Sequence, residues 1–311
     1  MKTSLKNSIR SAPLTFPYYD EKELQHIEPM DLRYKVAMFE VTNMIAEHYG
    51  ISLDRIPEIV LAQYQAGRYV ADKMKAYGIT KAEASEKSGI DVTSLSKALS
   101  GKRPFSPSAA HLVPFCYNVM HESCHKVMFG EEGSILLPSP YTQVVKALLN
   151  LDDADRAQLL KKAKLQYALF EQQNPGSIPN APRRKQSVII SERIHEFIYD
   201  KGLQGYQFFG PDTPYQIRGT LKQFLVEDCQ KASPRIGFLM YLAFETGTAL
   251  DYFISEDFTK YTRCFIYDGE GEKEITDTDV LAYLGICSSM PSERRQSLMG
   301  EAIGGSMSKL F

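Results

Sequence analysis

Two groups of residues in this 311-residue chain have the types and spacing to do chemistry. The first is His121-Glu122-Ser123-Cys124-His125, an HExxH string. On one continuous helix its two imidazoles would share a face and hold Zn²⁺, with the Glu as general base. Lys126 follows directly, and a cation there opposes the metal's charge. The only later histidine, His195, offers no convincing third ligand. Adventitious zinc through His121, Cys124 and His125 stays open beside the plainer reading, surface residues on a helix. The second group is Lys81, Val92, Thr93, Ser96, Lys97, Ser100, Lys102 and Arg103. Its cations can neutralise phosphates, and its small hydroxyl side chains can approach base edges in a major groove. Between Lys73 and Arg103 seven Lys and Arg stand against three acids, a modest basic face that a solvated helix surface could also show.

The elements that must position the second group lie in GITKAEASEKSGIDVTSLSKALSGKRP, Gly78 to Pro104. Thr80 is a good N-cap and Glu83, three residues on, completes a capping box, which predicts a helix over Lys81 to Ser88. Gly89 supplies the turn. Asp91 caps a second helix over Val92 to Ser100, ended by Gly101. Ala84, Ile90, Leu95 and Leu99 then share a small core, leaving Val92, Thr93, Ser96 and Lys97 on the open face. Upstream, a helix from about Pro57 to Tyr77 stops at Gly78 and is capped by Ser52. An amphipathic helix over Pro29 to Tyr49, with Val36, Phe39, Val41, Met44 and Ile45, needs partner helices to cover it.

This stretch resembles the lambda-repressor-like (Cro/XRE) helix-turn-helix family. The likeness continues through SPSAAHLVPFCYNVMHESCHKVMFGEEG, similar to that family's fourth and fifth helices, and covers roughly Ala66 to Gly130. The resemblance implies that the start of the second helix touches phosphate and the start of the third reads bases. Lys81 then holds a phosphate-contacting position where Gln is usual. Thr93 and Ser96 match base-reading positions, and Ser100, Lys102 and Arg103 match backbone-contacting ones. Val92 stands where the family often has a long polar residue. The resemblance also places His121 and Glu122 at the junction of fourth and fifth helices, so the two His need not share a helical face.

Internal repetition is the second signal. SPSAAHLVPFCYNVMHESCHKVMF from Ser106 aligns with SPRIGFLMYLAFETGTALDYFI from Ser233, 127 positions apart, so Leu112 meets Leu239. Downstream, the stretch from Gly130 resembles that from Tyr267, with Gly133 meeting Gly271. Upstream, the stretch from Ile190 resembles the first helices of the motif. The pattern predicts a duplicated unit, five helices followed by a helical hairpin, with loop insertions shifting the spacing. The second copy is irregular. Pro211 and Pro214 bracket its turn, Gly219 weakens its helix, and Phe208 and Phe209 suit protein contact, although Gln216, Arg218 and Lys222 could face DNA.

The expected organisation is an all-α protein of tandem lambda-repressor-like units, each followed by a helical hairpin. Residues 1–56 form an N-terminal tail and helical extension, 57–137 the helix-turn-helix domain and 138–170 its hairpin. Residues 171–187 form an extended linker whose Arg183-Arg184-Lys185 could serve as a DNA arm. Residues 188–262 form the degenerate second domain, and 263–311 the C-terminal hairpin and helices, with a lone β-hairpin over Tyr267 to Ile275. Asp152-Asp153 reads as a helix cap.

Composition narrows the function classes. The formal net charge of −2 argues against indiscriminate nucleic-acid binding. No basic start with an apolar run opens the chain, and no run is long enough for a bilayer, so no membrane association is expected. The five Cys, at 116, 124, 229, 264 and 287, have no CxxC pair and read as reduced thiols of a cytoplasmic protein. Glycine-rich phosphate loops and GxSxG elbows are absent. The sequence therefore predicts a non-enzymatic, cofactor-free transcriptional regulator of bacterial or phage type. Its expected partners are double-stranded DNA, a second copy of the chain and an unidentified effector. A protein-interaction scaffold is the alternative, and a zinc metalloprotease a remote third.

Overall fold

The computed structural model describes residues 55–176, 178–200 and 236–307. The expected helix over Pro29 to Tyr49, the Ser52 cap and the second turn with Gln216, Arg218 and Lys222 lie outside them.

The chain is predominantly helical with a small mixed sheet, which corrects the all-α expectation. The first half runs α1 (Arg55–Ala76), α2 (Lys81–Ser88), α3 (Val92–Leu99) and α4 (Ala109–Phe115). α4 continues into a π-helical turn (Cys116–Met120), followed by α5 (Cys124–Phe129), β1 (Ser134–Leu136), α6 (Ser139–Leu149) and α7 (Asp153–Gln173). The second half runs α8 (Gln186–Asp200), α9 (Ile236–Thr246), α10 (Leu250–Ile254), β2 (Arg263–Tyr267), β3 (Glu272–Glu274), α11 (Thr278–Ser289) and α12 (Ser292–Met307). In α1 the buried residues Ile59, Ala62, Ala66, Tyr69, Val70 and Met74 recur three and four apart, which is the stripe a helix needs to lie on a core. Asp152 caps α7 through Asp155 N–H, as its place before the helix suggests.

β2 and β3 form the expected hairpin, with the Asp268 carboxylate accepting from the N–H groups of Glu270 and Gly271. It is not alone. β1 pairs in parallel with β2, placing Ser134 opposite Arg263, Ile135 opposite Cys264 and Leu136 opposite Phe265. A strand from each half thus meets in the middle, where Ile135, Cys264 and Ile266 are buried. Instead of packing on each other as the expected hairpin, consecutive α6 and α7 pack on the second helix pair: α6 lies against α12, and α7 against α11, which also packs on α12. Tyr141, Val144, Val145 and Leu148 of α6 bury on this seam, as do Leu298 and Ala302 of α12. One continuous core runs from Ile59 to Ala302.

The segment expected as an extended linker is pinned at both ends. α7 already includes residues 171–173. The Arg183 guanidinium bonds the carboxylate of Glu171 and the carbonyl of Asn174, and the backbone N–H groups of Arg183 and Arg184 donate to Glu256. Arg184 itself is inside, paired with Glu192 at 2.8 Å. Two of the three cations expected as an arm for DNA are therefore spent on folding, and Lys185 alone is exposed. The described cysteines, Cys116, Cys124, Cys264 and Cys287, are buried and unbridged. Among the described residues no helix is long and apolar enough to cross a membrane.

Candidate nucleic-acid interface

The turn between α2 and α3 has the local chemistry its sequence asks for. The Thr80 hydroxyl accepts from Glu83 N–H at 3.1 Å, and Glu83 in turn draws on the Thr80 backbone N–H. The hydrogen bond and charge of Lys87 hold the Glu83 carboxyl below the usual range, with the Thr80 bond adding to it. Gly89 sits at φ +75, in the left-handed region that a side chain resists, and its N–H closes α2 on the Ser85 carbonyl. Asp91 caps α3 by accepting from Ser94 N–H at 2.8 Å. Ala84, Ile90, Leu95 and Ala98 are buried, and Leu99 packs partly against the same core. Gly101, at φ +69, ends the helix one residue after Ser100.

The face left open holds the residues singled out from sequence. Val92, Thr93, Ser100, Lys102 and Arg103 are exposed, and Ser96 and Lys97 are half-buried. Positions 93, 96 and 100 follow helical spacing, and the loop after α3 is tied back by Ser100 Oγ and the N–H groups of Lys102 and Arg103, which all donate to the Lys97 carbonyl. Lys81, the first residue of α2, joins this face by donating from Nζ to Ser96 Oγ at 3.0 Å. With one oxygen lone pair engaged, the Ser96 hydroxyl hydrogen is free to point outward as a donor. Ser94, also exposed at the start of α3, belongs to the same surface. The charge count needs revision: Lys73 is paired with Glu122 and Lys87 with Glu83. Among the described residues Lys97, Lys102 and Arg103 have no acidic partner.

The HExxH residues are brought near one another without sharing a helix face. The π-helical turn ends at Met120, His121 turns the chain at φ +55, and Ser123 caps α5 through Lys126 N–H. His121 is exposed, whereas His125 Nδ1 accepts from the backbone N–H of Leu250, 3.2 Å away on α10. Burial pushes the His125 imidazole down to about 4, so it stays neutral. Glu122 accepts from Tyr69 OH and Lys73 Nζ. Burial raises its carboxyl, but those hydrogen bonds and the charges of Lys73 and Lys126 bring it below the usual range. A carboxylate so engaged is poorly placed as a general base. Among the described residues no group of three or more His, Cys, Asp or Glu is arranged to hold a metal.

The largest polar feature of the interior is one that motif reading passes over. Arg193 on α8 is fully buried, bonded to Tyr141 OH, to Glu196 at 2.8 Å and to the Ser288 carbonyl at 3.0 Å. Its guanidinium lies over Phe258 at 4.9 Å, Tyr252 at 5.4 Å and Tyr141 at 5.6 Å. Arg295 from α12 reaches Glu192 at 2.9 Å and Glu196 at 3.0 Å. The signal was present as an Arg inside the apolar stripe of Ile190, Ile194 and Phe197. The cluster ties α8, α6, α10 and both helices of the second pair together.

No protein-family model, curated protein or solved structure matches this chain. The functional reading rests on the geometry.

Proposed function

We propose that this protein is a sequence-specific DNA-binding transcriptional regulator built from two lambda-repressor-like units, the first of which reads the major groove with α3. The observation that supports the reading is the surface of α2 and α3: a capped helix, a left-handed glycine turn and a second capped helix, with Thr93, Ser100, Lys102 and Arg103 exposed beside it. Lys81, Ser100, Lys102 and Arg103 set the register on phosphates. Thr93 and Ser96 approach base edges, and Val92 offers an apolar contact such as a thymine methyl. The overall charge of −2 suits a protein whose binding depends on this face rather than on general attraction.

The test is selection of bound sequences from randomised duplex DNA, followed by two classes of variant. Thr93→Ala with Ser96→Ala is expected to relax sequence preference. Lys102→Ala or Arg103→Ala is expected to weaken all sequences alike and flatten the salt dependence. No enrichment from the pool would leave the scaffold reading in place of this one, and indistinguishable behaviour of the two classes would remove specificity from α3.

A further inference from the structure

The two halves of the chain meet as two subunits of a dimer would. α5 and α10 approach with their first turns facing. Asp251, the second residue of α10, accepts from the N–H groups of Cys124 and His125 at 2.8 and 2.9 Å. His125, the second residue of α5, accepts from Leu250 N–H at the start of α10. Each helix thus has its N-terminal donors satisfied by the same position of the other, 126 residues away. The Ala249 N–H before α10 donates to the Ser134 carbonyl of β1 at 2.9 Å. The strands β1 and β2 pair alongside, and the helix pairs exchange partners, α6 on α12 and α7 on α11. Every one of these contacts joins an element of the first half to its counterpart, or to its counterpart's neighbour, in the second.

The seam is also closed to outsiders. A Cβ on Gly133 would lie 2.7 Å from that of Ala249 across the seam and 2.8 Å from that of His125, so no side chain fits at this point. Asp251 is fully buried on it, and separating the halves would remove its hydrogen bonds from Tyr117, Cys124 and His125, while Arg193 would lose Tyr141.

From this seam we infer that one chain takes the place of a repressor dimer: it stays monomeric and occupies a DNA duplex one chain at a time. A regulator that assembles from separate subunits loses affinity on dilution, because the dimer comes apart before the DNA does. Here the second unit is held at a fixed effective concentration by the fold itself. This departs from the homodimer expected from sequence, and only its DNA clause rests on the function proposed above.

Sedimentation equilibrium of the full chain tests the first clause without DNA. A mass of 35.1 kDa from low to high micromolar concentration is expected; twice that mass overturns the inference. The second clause is tested on a duplex enriched from the randomised pool, by the mass of the complex and the slope of the binding isotherm. One chain per duplex with a slope of one supports it, and two chains per duplex overturn it. Should no duplex be enriched, the DNA reading fails while the mass measurement still decides whether the halves form a closed pair.

Discussion

Arginines on α8 and α12 and cations around α3 make opposite use of the same chemistry. Arg193 and Arg295, with Arg184 just before α8, are drawn inside, where Glu192, Glu196 and Glu256 surround them and three aromatic rings flank Arg193. In the first half Lys102 and Arg103 stand in solvent with their backbone tied and their charges unspent. A buried cation has a fixed partner and can only hold the fold. An exposed cation on a rigid loop costs little and is available to a phosphate. Charge alone therefore says little about function until its burial is known, as Arg183 and Arg184 illustrate.

The largest break in this comparison should come from Arg193→Met. Removing one partner of a buried pair leaves Glu196 and the Ser288 carbonyl short of a donor and is expected to cost about 3–5 kcal/mol, read as a lowered denaturant midpoint. Arg103→Ala should shift the same midpoint by no more than about 0.5 kcal/mol. Equal effects would erase the distinction. Gly133→Ala comes next, because the added methyl must push α5 and α10 apart. A loss of about 1–3 kcal/mol is expected, and a neutral result would mean the seam is looser than described. Thr80→Ala should cost about 1 kcal/mol through the lost α2 cap and, by loosening α2, weaken binding by the α2–α3 face.

A pH series gives the mildest contrast. The folded His125 titrates near 4, below its unfolded value near 6.5. Its contribution to stability is therefore complete above pH 6.5 and lost as pH falls from there toward 4, since only the unfolded chain takes up the proton in that window. His125→Gln should flatten that part of the stability–pH curve. An unchanged slope would assign the acid sensitivity to other groups.

Much of the first unit was legible because its information is local. Thr80, Gly89, Asp91 and Gly101 each satisfy a demand set within three or four residues, and the helix boundaries follow within one residue. The break in the HExxH string was expected only from the resemblance, which set a helix junction at His121 and Glu122; the structure has the left-handed turn there at His121. The seam was not legible, since the pairing of β1 with β2 depends on residues 129 positions apart. Arg193 was missed because burial of a cation depends on what arrives from α6, α10 and α11. The repeat expected from sequence aligns Leu112 with Leu239, 127 apart, yet the left-handed residues that follow the π-helical turn and α9, His121 and Gly247, stand 126 apart. The π-helical turn explains the slip. It carries one more residue than an α-helical path would, where α9 runs straight.

The crossed pairing of the two helix pairs also governs how the protein is made. α6 is complete once Leu149 is synthesised, but the helix that covers it begins at Ser292. At about 5–20 residues per second the ribosome needs roughly 7–30 s to make the intervening chain. Throughout that interval α6 lacks its main cover, α12, and until α11 is made from Thr278 onward it lacks its second. The nascent first half is thus exposed to chaperones and proteases until α12 emerges, and a chain cut before Ser292 should be degraded rather than partly active.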